Sequence, residues 1–170
     1  EPSPMPYTYR FPRPGLTADC VVFGIGGDTL NVLLIQRKTA PFEGSWAIPG
    51  GFVNEGEDLH EAAGRELREE AGLGDLPLNQ FHAFGKPGRD PRGWVVTVAY
   101  WTIVDADRVQ LRAGDDAARA AWFPLTNLPP LAFDHDEMLA KAVAALRAAA
   151  SGGGVSLLPP GVAPEMLRFS

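Results

Sequence analysis

Hydrophobic and polar positions divide the chain into blocks of recognisable period. Residues 17–23 and 30–35 are almost continuously apolar and β-branched, the pattern of strands buried on both faces. Between them Gly24-Ile25-Gly26-Gly27-Asp28 predicts a glycine-rich hairpin. A phosphate-cradling loop would need a helical pattern after it, and none follows. Residues 37–46 form a loop with Pro41, Gly44 and Trp46, ending in the short apolar pair Ala47-Ile48 before Pro49. The period then changes: Leu59, Ala63, Leu67 and Ala71 recur as one stripe of a helix. Asp58 stands at its N-cap with Glu61 three positions on, the spacing of a capping box, and Gly72 stands where a left-handed stop belongs. Residues 81–84, 94–104 and 121–125 read as further strands, and 137–150 as a second helix with Asp134 or Asp136 as its cap. Mixed strands and helices in this order give one α/β domain over residues 17–150.

The flanks read differently. Residues 1–16 carry Pro2, Pro4, Pro6, Pro12 and Pro14 with Tyr7, Tyr9 and Phe11 between them, which predicts an extended arm. Such an arm either packs on its own domain or crosses to a second subunit, and a homodimer is the expected assembly. Residues 151–170 open on Ser151-Gly152-Gly153-Gly154 and read as a Gly/Pro-rich tail, too short for a DNA-binding domain. Its apolar residues, Val155, Leu157, Leu158, Met166, Leu167 and Phe169, predict that it docks on this subunit or a neighbour.

Composition narrows the function classes. With 21 acidic against 15 basic residues the formal charge is −6, which argues against nucleic-acid binding, since that needs a basic face. Cys20 is the single cysteine and sits in an apolar run, so no internal disulfide forms. No apolar run approaches the ~18 residues of a membrane span. A cytoplasmic protein without membrane or nucleic-acid partners is expected.

The acid is concentrated around the first helix. Glu66, Glu69 and Glu70 are related by three and four positions, so they share a face that borders the apolar stripe and does not lie opposite it. Carboxylates placed there line a cleft and repel one another unless a cation or arginine offsets them. Arg65, one turn from both Glu61 and Glu69, is placed to fix a carboxylate. Oxygen-only donors suit a hard divalent cation, and no Cys/His cluster offers a zinc site. Gly50 and Gly51 let backbone approach the same place, and Glu57 enters from the preceding loop. A solvated surface helix bridged by arginine would show the same helical geometry.

The spacing separates these readings. Gly51, five residues, Glu57, seven residues, Arg65-Glu66-Leu67, one residue, Glu69-Glu70, one residue, Gly72-Leu73 resembles the signature box of the Nudix hydrolases at every defined position. The resemblance implies an α/β/α sandwich around a mixed β-sheet and Mg²⁺-dependent hydrolysis, with Mn²⁺ as an alternative ion, of a nucleoside diphosphate linked to another group. It implies that Gly50, Glu57, Glu66, Glu69 and Glu70 form the metal-binding set, that Glu66 or Glu70 activates water, and that Arg65 orients the glutamates. Asp115, Asp116, Asp134 and Glu137 are further candidates for the base.

Outside the box, the Arg89-Asp90-Pro91-Arg92-Gly93 connection and Leu131-Ala132-Phe133-Asp134-His135 are similar to the ADP-ribose pyrophosphatase branch and its regulatory relatives. Arg89 and Arg92 are candidates for phosphate or ribose contacts, the alternative being a charged hairpin tip. Trp46 is a candidate for stacking on a base or a core residue. His135 is a substrate contact or a satisfied polar residue at a helix start. The expected reaction is ADP-ribose to AMP and ribose 5-phosphate. The alternatives are another nucleotide, such as an oxidised dNTP or a dinucleoside polyphosphate, or a non-catalytic domain that senses ADP-ribose.

Overall fold

The computed structural model describes residues 6–114 and 117–152. Pro2, Pro4, Asp115, Asp116 and the tail from residue 153 lie outside the described residues. The elements run β1 (Gly15–Gly26), β2 (Thr29–Arg37), β3 (Trp46–Ala47), β4 (Gly50–Phe52), α1 (Leu59–Ala71), β5 (Asn79–Phe84), β6 (Val95–Asp105), β7 (Ala117–Pro124) and α2 (His135–Ser151). The seven strands form one sheet in the order β3-β2-β1-β6-β5, with β4 beside β1 and β7 beside β2. β1 and β6 run parallel and the other pairings are antiparallel, so the sheet is mixed.

Strand β1 shows why its run of apolar residues has no polar face. Val21, Phe23 and Ile25 enter one core with Met138, Leu139, Ala142 and Leu146 of α2. Cys20 and Val22 enter the opposite core with Ala62, Ala63, Leu67 and Ala71 of α1. Each helix therefore covers one face of the sheet, giving the expected α/β/α sandwich. The hairpin is tighter than the glycines suggest. The strands pair as far as Gly26 and Thr29, leaving only Gly27 and Asp28 to turn. Gly24 belongs to the strand because its missing side chain makes room for the Trp122 ring.

β6 follows the whole of β1 on one edge. On the other edge β2 pairs with residues 23–26 and β4 with residues 17–19, so the sheet forks at the middle of β1. A strand over Gly50–Phe52 is not apparent from residues dominated by glycine, since its pairing rests on backbone hydrogen bonds alone. The fork is where a cleft opens.

Candidate active site

Helix α1 is fixed at both ends by its own sequence. Glu61 Oε2 accepts the Asp58 N–H at 3.4 Å, and Gly72 takes φ 74°, sending its N–H to Arg68 and that of Leu73 to Leu67. The apolar stripe docks on β1, which brings the acidic edge of the helix against β4. A Cβ on Gly51 would collide with the Glu66 carboxylate, and one on Gly50 would overlap the carboxylate of Asp19. The two glycines are needed here because side chains of the helix and of β1 occupy that space.

Arg65 organises the acids, though not through Glu61, whose carboxylate serves the cap. Its Nε and Nη2 bond both oxygens of Glu57 at 2.7 and 3.0 Å. Nη1 reaches Glu66 at 2.8 Å and Glu69 at 3.2 Å, and Nη2 also donates to the Phe52 carbonyl at 3.0 Å. These bonds hold the Glu57 carboxyl down at about 2. Glu70 is in the opposite condition. It is 6% exposed, accepts the Gly50 N–H at 2.8 Å, and is pushed up to about 9, chiefly by burial and then by Glu66 and Asp19. Burial also raises Glu66 against the opposing pull of Arg65. Two neighbouring carboxyls that burial raises are a place where a positive charge would be welcome.

Asp19 is a site residue that the sequence reading missed. It lies in β1, buried, bonded by a short contact to the Thr97 hydroxyl, and burial raises it to about 6 against the pull of Thr97 and Arg89. It shares a cleft of about 60 Å³ with Thr17, Gly50, Gly51, Phe52, Arg89 and Arg92. The only local signal was one acid inside an apolar strand.

The 85–93 connection is exposed along most of its length, but Arg89 and Asp90 turn inward. Arg89, with a side chain 5% exposed, binds Asp134 through Nε at 2.9 Å and Nη2 at 2.7 Å. Arg92 grips Asp90 through the same fork geometry and lies over the rings of Phe52, at 5.0 Å, and Phe133, at 5.5 Å. Burial works to raise Asp90, but the Arg92 bonds outweigh it and hold it below the ordinary carboxylate range. Asp134 does stand at the N-cap of α2, yet it makes no side-chain cap bond, because Arg89 takes both of its oxygens. That pairing also leaves it poorly placed as a base. Arg37 adds a cation that the sequence reading did not single out. It lies 5.0 Å over Phe133 and is lowered by burial and then by Arg92.

Two candidates are engaged with partners inside the protein. Trp46 packs edge-on against Phe123 at 4.7 Å in the core beside α2, with Arg119 over its ring. His135 borders the cleft, but it is buried, its Nδ1 accepts the Ile48 N–H at 3.0 Å, and burial lowers it to about 3. Glu137 is exposed on the first turn of α2.

Among the described residues no three Asp, Glu, His or Cys side chains close on one point tightly enough to enclose an ion by themselves. The donors present still fit a hard cation of open coordination. Glu66 and Glu70 offer all-oxygen side chains beside the Gly50–Gly51 backbone, and such an ion takes its remaining ligands from water and phosphate.

Comparison with known proteins agrees with this geometry. The family described as NUDIX domain matches residues 13–142. The chain is 46% identical over 109 residues to an ADP-ribose pyrophosphatase of Methanocaldococcus jannaschii, covering 64% of this chain and 63% of that one. It is 35% identical over 156 residues to the ADPR responsive transcriptional repressor NtrR of Acinetobacter baylyi, covering 88% of this chain and 62% of the repressor. The match thus spans under two thirds of the length of either relative. The NUDIX domain of Shewanella oneidensis NrtR, solved with ADP ribose, superposes with a TM-score of 0.75 at 34% identity, covering 80% of this chain and 90% of that one.

Proposed function

The chain belongs to the Nudix family, and from that premise we propose that it hydrolyses the pyrophosphate bond of ADP-ribose, releasing AMP and ribose 5-phosphate with Mg²⁺ or Mn²⁺ bound. The observation that carries the reading is the apposition of two charges. Glu66 and Glu70 meet the cleft floor behind Gly50 and Gly51, while Arg89 and Arg92 line the same cleft. An anionic diphosphate held by a divalent cation needs both.

Glu66, Glu70 and the backbone at Gly50 are the groups that would hold the cation, with Glu57 and Glu69 supporting them through Arg65. The chemistry such a cation would supply is polarisation of the phosphoryl group and a lower pKa for a bound water. The chain's own residues do the rest. Arg65 pins one oxygen of Glu66 and leaves the other free of it, and the Gly50 N–H fixes one oxygen of Glu70. Glu66 or Glu70 accepts the proton of the attacking water. Arg92, and Arg37 behind Phe133, counter the charge of the diphosphate.

Purified protein given ADP-ribose and Mg²⁺ should yield AMP and ribose 5-phosphate in equal amounts. Binding without turnover would favour the sensing role of the repressor relatives, the second reading supported by likeness to NtrR. Neither binding nor turnover would point to another nucleotide.

We also place the protein in the cytoplasm as a homodimer. A single buried thiol suits a reducing compartment, and no helix among the described residues is long and apolar enough to cross a membrane. The arm supports the dimer. Tyr7, Tyr9 and Phe11 are exposed aromatics whose tie to the domain includes the Tyr7 hydroxyl donating to Glu55 at 2.6 Å. Light scattering on the purified chain tests the assembly, and a monomer would refute it.

A further inference from the structure

The cleft holds one carboxylate that the proposed reaction leaves without a task. Asp19 faces Gly50 across the antiparallel pairing of β1 and β4. The ladder bonds fall on either side of it, from the Cys20 N–H to the Pro49 carbonyl at 2.9 Å and from the Val53 N–H to the Leu16 carbonyl at 3.0 Å. Asp19 and Gly50 therefore form a pair with no hydrogen bond between them, the kind in which side chains stand closest. The same geometry turns the Gly50 N–H away from β1, where it meets Glu70. Asp19 is 7% exposed. Its Oδ2 is held by the Thr97 hydroxyl, which the parallel register sets level with Thr17 and which also reaches the Thr17 carbonyl at 3.2 Å. Oδ1 lies over Gly50, the nearest atom to where a Cβ there would stand, and has no hydrogen-bond partner among the described residues. No polar side-chain atom among them is both closed off from solvent and unpartnered, so Oδ1 opens on the cleft.

A buried carboxylate needs positive charge close by, and the cations around this one are bonded to other acids. Arg89 forks onto Asp134, Arg92 onto Asp90, and Arg65 serves Glu57, Glu66 and Glu69. Asp19 joins no ion pair among the described residues. Its neighbours across the glycines carry its own sign. Glu70 takes the N–H of Gly50, and the Glu66 carboxylate fills the side-chain space of Gly51. Carboxyls from β1 and from α1 thus meet over the same two glycines. Resting on the cation-dependent reading above, we propose that Asp19 is a positioning residue of the cation site, its Oδ1 accepting a hydrogen bond from water on the ion that Glu66, Glu70 and the Gly50 backbone hold. Contact through water follows from the spacing, because no three such side chains among the described residues close on one point. An outer acceptor of this kind orients the shell of the ion and adds to its affinity. Asp19 suits the task because Thr97 fixes one of its oxygens and leaves the other to the cleft.

The test is Mn²⁺ binding to the full chain without nucleotide, followed by the electron paramagnetic resonance of the free ion. Asp19→Asn keeps the shape and can still bond Thr97, so its melting temperature without metal should match or exceed that of wild type. Its dissociation constant for Mn²⁺ should rise about ten-fold or more, the usual cost of losing an outer partner of an ion site. Glu61→Gln removes the same charge from the exposed cap of α1 and should stay within about two-fold of wild type, because solvent and salt screen that position. Equal losses in the two variants would assign the effect to the general field of the acids and overturn the proposal. An Asp19→Asn protein that binds Mn²⁺ as tightly as wild type overturns it too, and a lowered melting temperature alongside would show the carboxylate to be structural. A wild type without a Mn²⁺ site overturns it together with the cation reading. None of these readouts needs turnover, so a wild type that binds Mn²⁺ and leaves ADP-ribose intact refutes the hydrolase reading while the titration still decides the role of Asp19.

Discussion

At the scale of single residues, Glu70 and Arg65 bear opposite relations to stability and activity. Glu70 is buried, and burial raises its carboxyl to about 9. Glu70→Gln retains an acceptor for the Gly50 N–H and removes the group that must ionise. Turnover should therefore fall by about 10²-fold or more, the usual contribution of a positioned proton acceptor. The melting temperature should hold or rise; unchanged Mg²⁺-dependent turnover would remove Glu70 from the chemistry. Arg65→Lys keeps the charge but loses the fork, since an ammonium cannot bond both oxygens of Glu57 while reaching Glu66, Glu69 and the Phe52 carbonyl. A loss of stability of about 1–3 kcal/mol is expected in urea unfolding, together with weaker Mg²⁺ binding. A variant matching wild type in both would mean the network is ornamental.

At the scale of elements, the 85–93 connection is tied to α2 by one buried ion pair. Removing Asp134 strands the Arg89 guanidinium, and breaking such a pair costs about 3–5 kcal/mol. Asp134→Ala should lose about that much in chemical denaturation and raise the KM for ADP-ribose, because the loop carrying Arg92 loses its anchor. A loss under 1 kcal/mol would show that the pair is solvated in practice. This element was the hardest to read from sequence. Gly85 to Gly93 looks like a hairpin tip because glycines and prolines mark a turn, while the partner that draws Arg89 inward lies 45 residues on. Helix α1 was legible for the opposite reason. Its caps, its stripe and its acidic face are all set by neighbours within one or two turns. The same distinction explains Asp19, whose hydroxyl partner Thr97 is 78 residues away and arrives only through the parallel β1–β6 pairing. It explains Trp46 as well, since nothing local reveals that Phe123 of β7 will cover its ring.

At the scale of the whole molecule, buried titratable groups on the two sides of the cleft push stability in opposite directions with pH. Glu70 and Asp19, raised to about 9 and about 6, hold protons in the folded state that the unfolded chain releases. Their contribution is fully present below their ordinary values and is lost as pH rises through the folded ones. His135 works the other way. Its ring is buried and neutral with a folded value of about 3, among Asp134, Asp90, Arg89 and Arg37. An unfolded histidine titrates at about 6.5. Between those values only the unfolded chain takes up the proton, so this contribution is complete above about pH 6.5 and drains away as pH falls toward 3. The raw curve of the metal-free protein mixes both effects, but a difference between two proteins isolates the histidine. In His135→Asn the amide oxygen can still accept the Ile48 N–H, and every carboxylate is unchanged. The stability of wild type minus that of the variant should fall by about 1.4 kcal/mol per pH unit from pH 6 to pH 4, the linkage slope of one proton. Urea unfolding at half-unit steps reads this directly. A flat difference would show that His135 titrates normally in the folded protein and is open to water and to substrate.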